Sequence, residues 1–224
     1  MTPPRQAAHA EQIPNKCLSQ HLYSLMRSCN QNGTVIVTLV ILMAVLMLGL
    51  AAAQSAVLGW KSASNETDRQ IALQAAEAAL RDAEIDIENS PDSAKSRSHI
   101  FSRHSAFGFP DPDEAVCNDD SGEIYRGLCR AVNDEMQPWQ IVDFSKSDAT
   151  AQSVAFGSFT GQSFQVGKGT LPSRLPRYII ELMPYNRPGE PADKPSYFYR
   201  VTAIGFGARE STQIALQSFY RKED

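Results

Sequence analysis

A stretch of 33 residues, from Ser28 to Trp60, carries no charged side chain. It lies inside a run of 76 residues, 15–90, that contains no proline, whereas ten of the 13 prolines fall at or after Pro91. Proline in a helix interior costs about 3 kcal/mol, so the gap marks where a very long helix can form. Within it, residues 34–53 read TVIVTLVILMAVLMLGLAAA. Twenty helical residues rise about 30 Å, the thickness of a bilayer's hydrocarbon core. A buried helix of a soluble protein rarely runs five turns without a charge. A cleaved secretory signal has a shorter apolar stretch, about 7–15 residues, ending in a small-residue cut site. The pattern predicts one membrane span. A composition of 42% hydrophobic and 21% charged residues excludes a wholly disordered chain or a polytopic membrane protein. Four cysteines in 224 residues exclude a disulfide-dense miniprotein.

Charge gives the span a direction. Arg5, Lys16 and Arg27 precede it against Glu11, net +2, while 18 basic and 24 acidic residues follow, net −6. Basic flanks stay in the cytoplasm. The expected topology is a single pass, N-terminus cytoplasmic, with an extracytoplasmic domain of roughly 160 residues.

Beyond Lys61 the pattern turns amphipathic. Leu73, Leu80 and Ile87 recur every seven residues, with Ala76 and Ala83 on the same face. Asp68, Arg69, Glu77, Arg81, Asp82, Glu84, Asp86 and Glu88 take the other positions. This is helix periodicity with a narrow apolar stripe. Ala75, Ala76, Ala78, Ala79 and Ala83 add helix propensity, and Asn89-Ser90-Pro91 ends the helix. The prediction is one helix over 34–87, about 80 Å long, its second half packed on the protein's own sheet. Three heptads are too few to argue a free coiled coil.

Gly33 followed at once by Thr34-Val35-Ile36-Val37-Thr38-Leu39, after a basic hydrophilic leader, resembles type IV pilins and pilin-like proteins. Residues 74–84, QAAEAALRDAE, resemble more narrowly the PilX family of minor pilins, as do the C-terminal runs 199–207 and 212–221. The resemblance implies that a prepilin peptidase cuts between Gly33 and Thr34. The new N-terminal helix would anchor the subunit in inner-membrane lipid and later enter the fibre core. It also implies other minor pilins and the major pilin as partners, a tip adhesin as a further one, and roles in twitching motility and adhesion. The expected domains are a leader at 1–33, the pilin helix at 34–89 and an extracytoplasmic head at 90–224. The leader is long for the family. Met26 offers an alternative start that leaves MRSCNQNG ahead of the same cut.

Two positions depart from the family pattern. Thr34 stands where phenylalanine or methionine is usual, and Thr38 stands where the mature chain's fifth residue is usually glutamate. A lone carboxylate in lipid is costly without a partner, and in the family that partner is the terminal amine of the subunit above. A subunit with none above it would bury an unpaired charge. Threonine avoids this by bonding its hydroxyl to a carbonyl one turn back. The reading is a tip subunit that helps start assembly. The plainer alternative is drift in a diverged minor pilin.

Cys17 and Cys29 fall in the leader, whereas Cys117 and Cys129 would be exported. An even pair in an oxidising compartment reads as a disulfide closing a 13-residue ring, worth roughly 3 kcal/mol. Zinc lacks a CxxC or a nearby histidine to support it. Residues 178–182, 197–205 and 213–220 are rich in β-branched and aromatic residues, and the segments between them carry turn chemistry. They predict an antiparallel meander, with another strand or hairpin at 154–166 interrupted by Gly157 and Gly161. The fold class is α+β, a long N-terminal helix on an antiparallel sheet.

No catalytic constellation emerges, and no cofactor or metal is expected. His99 and His104, beside Arg97 and Arg103, read as solvated. The glycines at 161–169 miss phosphate-loop spacing by one residue, and Gly169 occupies the Ser/Thr position. Asn65-Glu66-Thr67 is a sequon without meaning in a bacterial setting. Asp111, Asp113, Glu114, Asp119, Asp120 and Glu123 are dense enough to suggest calcium, but they match no EF-hand loop and read as a solvated acidic loop. A mature net charge of −6 gives nucleic acid no basic patch. The function read from the sequence is a minor pilin. The alternatives are a minor pseudopilin of a type II secretion system and a pilus-associated surface-binding module.

Overall fold

The computed structural model describes residues 31–111, 116–118, 123–130, 136–185 and 195–222. Helix α1, Gln31–Glu88, lies inside the proline gap and has 58 residues. It ends where expected: Asn89 N–H still bonds Ile85 O at 3.0 Å, and then Ser90 turns away. The Ser90 hydroxyl donates to Phe159 O at 2.6 Å, and its amide donates to Ser98 Oγ at 3.0 Å. The chain divides into two units at Gly59/Trp60, so the helix from Trp60 onward belongs to the same unit as the head.

The head carries a five-stranded mixed sheet. Its strands are β1 (Leu128–Arg130), β2 (Val154–Ala155), β3 (Arg177–Pro184), β4 (Tyr197–Phe206) and β5 (Gln213–Tyr220). Strands β3, β4 and β5 form the predicted antiparallel meander, with Ile180 opposite Val201 and Val201 opposite Ser218. The other edge departs from a purely antiparallel sheet. Strand β1 runs parallel to β3, Leu128 opposite Ile180, and β2 pairs antiparallel with the start of β3. Three- and two-residue strands are too short to show a period, so this edge left no pattern to read. The segment expected as a strand or hairpin at 154–166 keeps only Val154–Ala155 as strand. Gly157 and Gly161 then take φ of +77° and +70°, left-handed values that turn the chain and favour glycine.

Two apolar clusters flank β3. Tyr178, Ile180 and Leu182 pack with Ala79, Ala83 and Ile87 of α1 on one face. Ile179, on the other face, packs with Cys117, Cys129, Val142 and Phe144. The stretch 91–175 supplies this second layer. It includes the short helix α2 (Pro138–Ile141), capped at Gln137. Residues 177–182 are consequently buried on both faces, as expected for a strand covered twice.

The contact between α1 and the sheet is closer than leucine would allow. The wholly buried apolar residues of the helix are Ala72, Ala75, Ala76, Ala79, Ala83 and Ile87. Leu73 and Leu80, expected at the centre of the stripe, are only half-buried. A Cβ built on Gly205 of β4 would lie 2.0 Å from Ala72 O and 2.3 Å from Ala76 N. Helix backbone therefore rests on sheet backbone here, and only the smallest side chains fit between them.

Candidate functional site

The first unit holds the apolar half of α1. Among its described side chains the large apolar ones are all more than half exposed, from Val57 at 51% to Leu48 at 71%. No charge interrupts them. The helix is long and apolar enough to cross a membrane. Two of its hydroxyls are satisfied within the helix, as an apolar solvent requires. Thr38 Oγ1 donates to Val35 O at 2.9 Å, and Ser55 Oγ donates to Ala51 O at 3.1 Å. Gly33 and Thr34 sit within the first turns of this helix. The leader residues 1–30, with Cys17 and Cys29, lie outside the described residues.

In the second unit the helix face turned to the head is studded with carboxylates. Asp68, Asp82 and Asp86 are buried, which corrects their placement off the packing stripe. They lie on one face with Ala72, Ala75, Ala76, Ala79 and Ala83, at helical spacing. Each reaches a different part of the head. Asp68 accepts from the Arg209 amide at 3.2 Å, from Arg209 Nε at 3.0 Å and from the Thr212 hydroxyl, which ties it to the β4–β5 turn. Asp82 accepts from the Gly157 amide at 2.8 Å and from the Thr160 hydroxyl, which ties it to the loop after β2. Asp86 accepts from Arg97 Nε at 3.0 Å, from Arg97 Nη2 at 2.7 Å and from the Tyr178 hydroxyl at 3.0 Å.

Arg97 is the pivot of the deepest of these ties. It is wholly buried, although its surroundings in sequence are polar. Its Nη1 donates to Ile124 O at 2.9 Å and to Arg126 O at 2.6 Å, and its guanidinium lies 3.7 Å from the centre of the Phe159 ring. A buried charge of this kind is stable only with its donors and partner satisfied. His99 and His104, its neighbours in sequence, are exposed as expected.

Burial and the Asp86 charge hold the Tyr178 hydroxyl well above its ordinary pKa. Burial raises the Asp82 carboxyl, more than the Thr160 and Gly157 hydrogen bonds lower it. For Asp68 the balance reverses: burial pushes up, but hydrogen bonds from Thr212 and Arg209 bring the carboxyl below its usual value. All three carboxylates are engaged with fixed donors. That arrangement suits holding a helix in place. The signal that could have found them was present. Aspartates and alanines recur at three- and four-residue steps from Asp68 to Asp86, a stripe hidden by ranking positions on hydrophobicity alone.

Cys117 and Cys129 are joined as a disulfide, Cα atoms 4.1 Å apart, and both are buried. Among the described residues no group of three or more His, Cys, Asp or Glu could hold a metal. Of the acidic run, Asp113, Glu114, Asp119 and Asp120 lie outside the described residues, and Asp111 is exposed.

Two family models match this chain. The PilX N-terminal model matches residues 33–81, and the type IV pilus assembly protein PilX C-terminal model matches residues 125–222. The chain belongs to the PilX family. As a PilX-family protein it is a component of the type IV pilus, and other pilus components are its partners. The N-terminal match spans the apolar half of α1 and stops just before Asp82, while the C-terminal match covers all five strands. The 43 residues between them hold Asp82, Asp86, Arg97 and Cys117. No curated protein and no solved structure gives a significant match.

Proposed function

We propose that this PilX-family chain is a minor pilin that helps to start pilus assembly and sits at the fibre tip. In this reading prepilin peptidase cuts between Gly33 and Thr34. The mature chain waits in the inner membrane with its head in the periplasm, then moves into the fibre. The observation that carries the tip assignment is Thr38, whose hydroxyl is satisfied 2.9 Å away on Val35 O inside its own helix. The position needs nothing from a neighbouring subunit, as befits one with no subunit above it. The head then stands at the distal end, where contact with a tip adhesin and roles in twitching and adhesion follow. The pilus reading is preferred to a secretion pseudopilin because both matching models belong to the pilus family.

N-terminal sequencing of the mature product should begin at Thr34, and deletion of the gene should remove surface pili. Subunit cross-linking should place the native chain only at the tip. Thr38→Glu restores a carboxylate that an overlying subunit could pair, so it should allow some chains into the shaft. Native chains distributed along the shaft would sink the tip assignment.

A further inference from the structure

One turn of α1 differs from the rest in the company its polar groups keep. The uncharged run of the helix ends at Trp60, which is 74% exposed, and Lys61 follows at once. Counted from Thr34, Trp60 lies about 40 Å along a helix, and a bilayer with its headgroups is about 40–45 Å thick. The Trp60–Lys61 pair therefore falls in a headgroup layer, where tryptophan rings are enriched and lysine side chains reach for water. In the unit that begins at Trp60 lies a cleft of about 270 Å³ lined by Trp60, Lys61, Ser64, Asn65 and Arg209. That volume approaches the lower end of small-ligand sites, about 300 Å³.

The polar lining is made of donors. Arg209 is held in place by Asp68, which accepts from its Nε, and by Asn65 Oδ1, which accepts from its Nη2 at 2.7 Å. Arginine has no acceptor, so Asn65 must turn its oxygen to it, which leaves the Asn65 NH2 over. That NH2, Arg209 Nη1, Lys61 Nζ and Ser64 Oγ have no hydrogen-bond partner among the described residues. No carboxylate lines the cleft, and the neighbouring Glu66 and Glu210 are exposed outside it. The Arg209 charge is already matched by Asp68, whereas the Lys61 charge is matched by none of the described residues. The cleft thus carries one unbalanced positive charge, in a chain where 24 acidic residues against 18 basic ones follow the leader.

We propose that this cleft binds the headgroup phosphate of a membrane phospholipid, an anionic phosphodiester without an amine. Lys61 supplies the matching charge, and Arg209 Nη1, the Asn65 NH2 and the Ser64 hydroxyl supply hydrogen bonds to the phosphate oxygens. Such charge-assisted bonds are the strong kind. A headgroup amine would find no free carboxylate here, so the lining selects phosphatidylglycerol over phosphatidylethanolamine. A soluble phosphate would meet the same donors, but only a lipid also brings the glycerol and acyl carbons that cover the exposed Trp60 ring at the end of an apolar run. A lipid held here fixes the depth at which α1 waits in the bilayer, and it must be given up when the chain leaves. This rests on the membrane-span reading of α1 proposed above.

The test is native mass spectrometry of the full chain, released from detergent holding equal amounts of phosphatidylglycerol and phosphatidylcholine, and then of phosphatidylglycerol and phosphatidylethanolamine. The phosphatidylglycerol adduct should dominate in both mixtures. Lys61→Gln should lower that preference about fivefold. Lys95→Gln, which removes the same charge from an exposed site beyond the end of α1, should leave it unchanged. Equal loading of the lipids on the native chain overturns the proposal, and so does an equal fall in both variants. Loss of the lipid adduct on adding inorganic phosphate also overturns it, because the site would then belong to a soluble anion. Flotation of the chain with vesicles of phosphatidylcholine alone, scored in parallel, tests the span by itself. A chain that floats without preferring phosphatidylglycerol has the span but not the site, so the two errors cannot be confused.

Discussion

Within one helix, Leu39, Leu42, Leu46 and Leu50 are each more than 60% exposed, whereas Ala72, Ala75, Ala76 and Ala79 are wholly buried. Large apolar side chains face out, and small ones, with three carboxylates, face in. This inverts the usual ordering of burial. It shows that the two halves are matched to different surroundings. The first half suits a medium that is itself apolar, where side-chain bulk costs nothing and a charge costs a great deal. The second half rests on a sheet at backbone distance, where bulk is excluded and directed hydrogen bonds hold the helix instead.

The largest expected effect comes from breaking the inner tie. Asp86→Ala leaves Arg97 as a buried, unmatched cation and takes the acceptor from Tyr178. Removing one partner of a buried pair costs about 3–5 kcal/mol. Thermal unfolding of the full chain in detergent should show that loss with no change in membrane insertion. A fall below about 1 kcal/mol would mean the tie is dispensable. Next in size is the converse change. Val45→Lys puts a charge midway along the bare half, costing about 2.5–3.5 kcal/mol of insertion, while the unfolding temperature of the head stays fixed. A head destabilised by Val45→Lys would erase the distinction between the halves.

The smallest effect sharpens the comparison inside the second half. Burial raises the Asp82 carboxyl, so protonated Asp82 favours the folded state. That contribution is present below the unfolded value of 3.8 and is lost as pH rises through the folded value. Asparagine does not titrate. The stability of Asp82→Asn relative to the native chain should therefore climb as pH rises through this window. Asp68 has the opposite sign: its lowered carboxyl contributes above 3.8 and loses that contribution as pH falls. Urea titrations at several pH values distinguish the two.

The long helix, its end at Asn89-Ser90-Pro91 and the β3–β4–β5 meander were legible because each rests on a period longer than the noise. A 76-residue proline gap and three strands of eight to ten residues cannot easily arise by accident. The Cys117–Cys129 pair was legible as an even pair in an exported segment with no CxxC or nearby histidine to suggest zinc. What escaped is what long-range pairing decides. Nothing local to Arg97 says that it will meet Asp86 eleven residues away, or that Tyr178 will join them from the sheet. The parallel strand β1 is invisible for the same reason, since three residues acquire strand geometry only by lying beside β3.

Gly205 carries a last consequence. A contact made by two backbones can drift in only one direction, because glycine and alanine have almost nothing to lose and every other residue adds atoms. At positions 72, 75, 76 and 205 the substitutions open to the lineage nearly all enlarge, and those that enlarge push helix and sheet apart. The bare half can exchange leucine, valine, isoleucine and methionine among themselves with little penalty. Spontaneous variation should therefore accumulate unevenly along a single helix, permissive at its start and unforgiving where it meets the sheet.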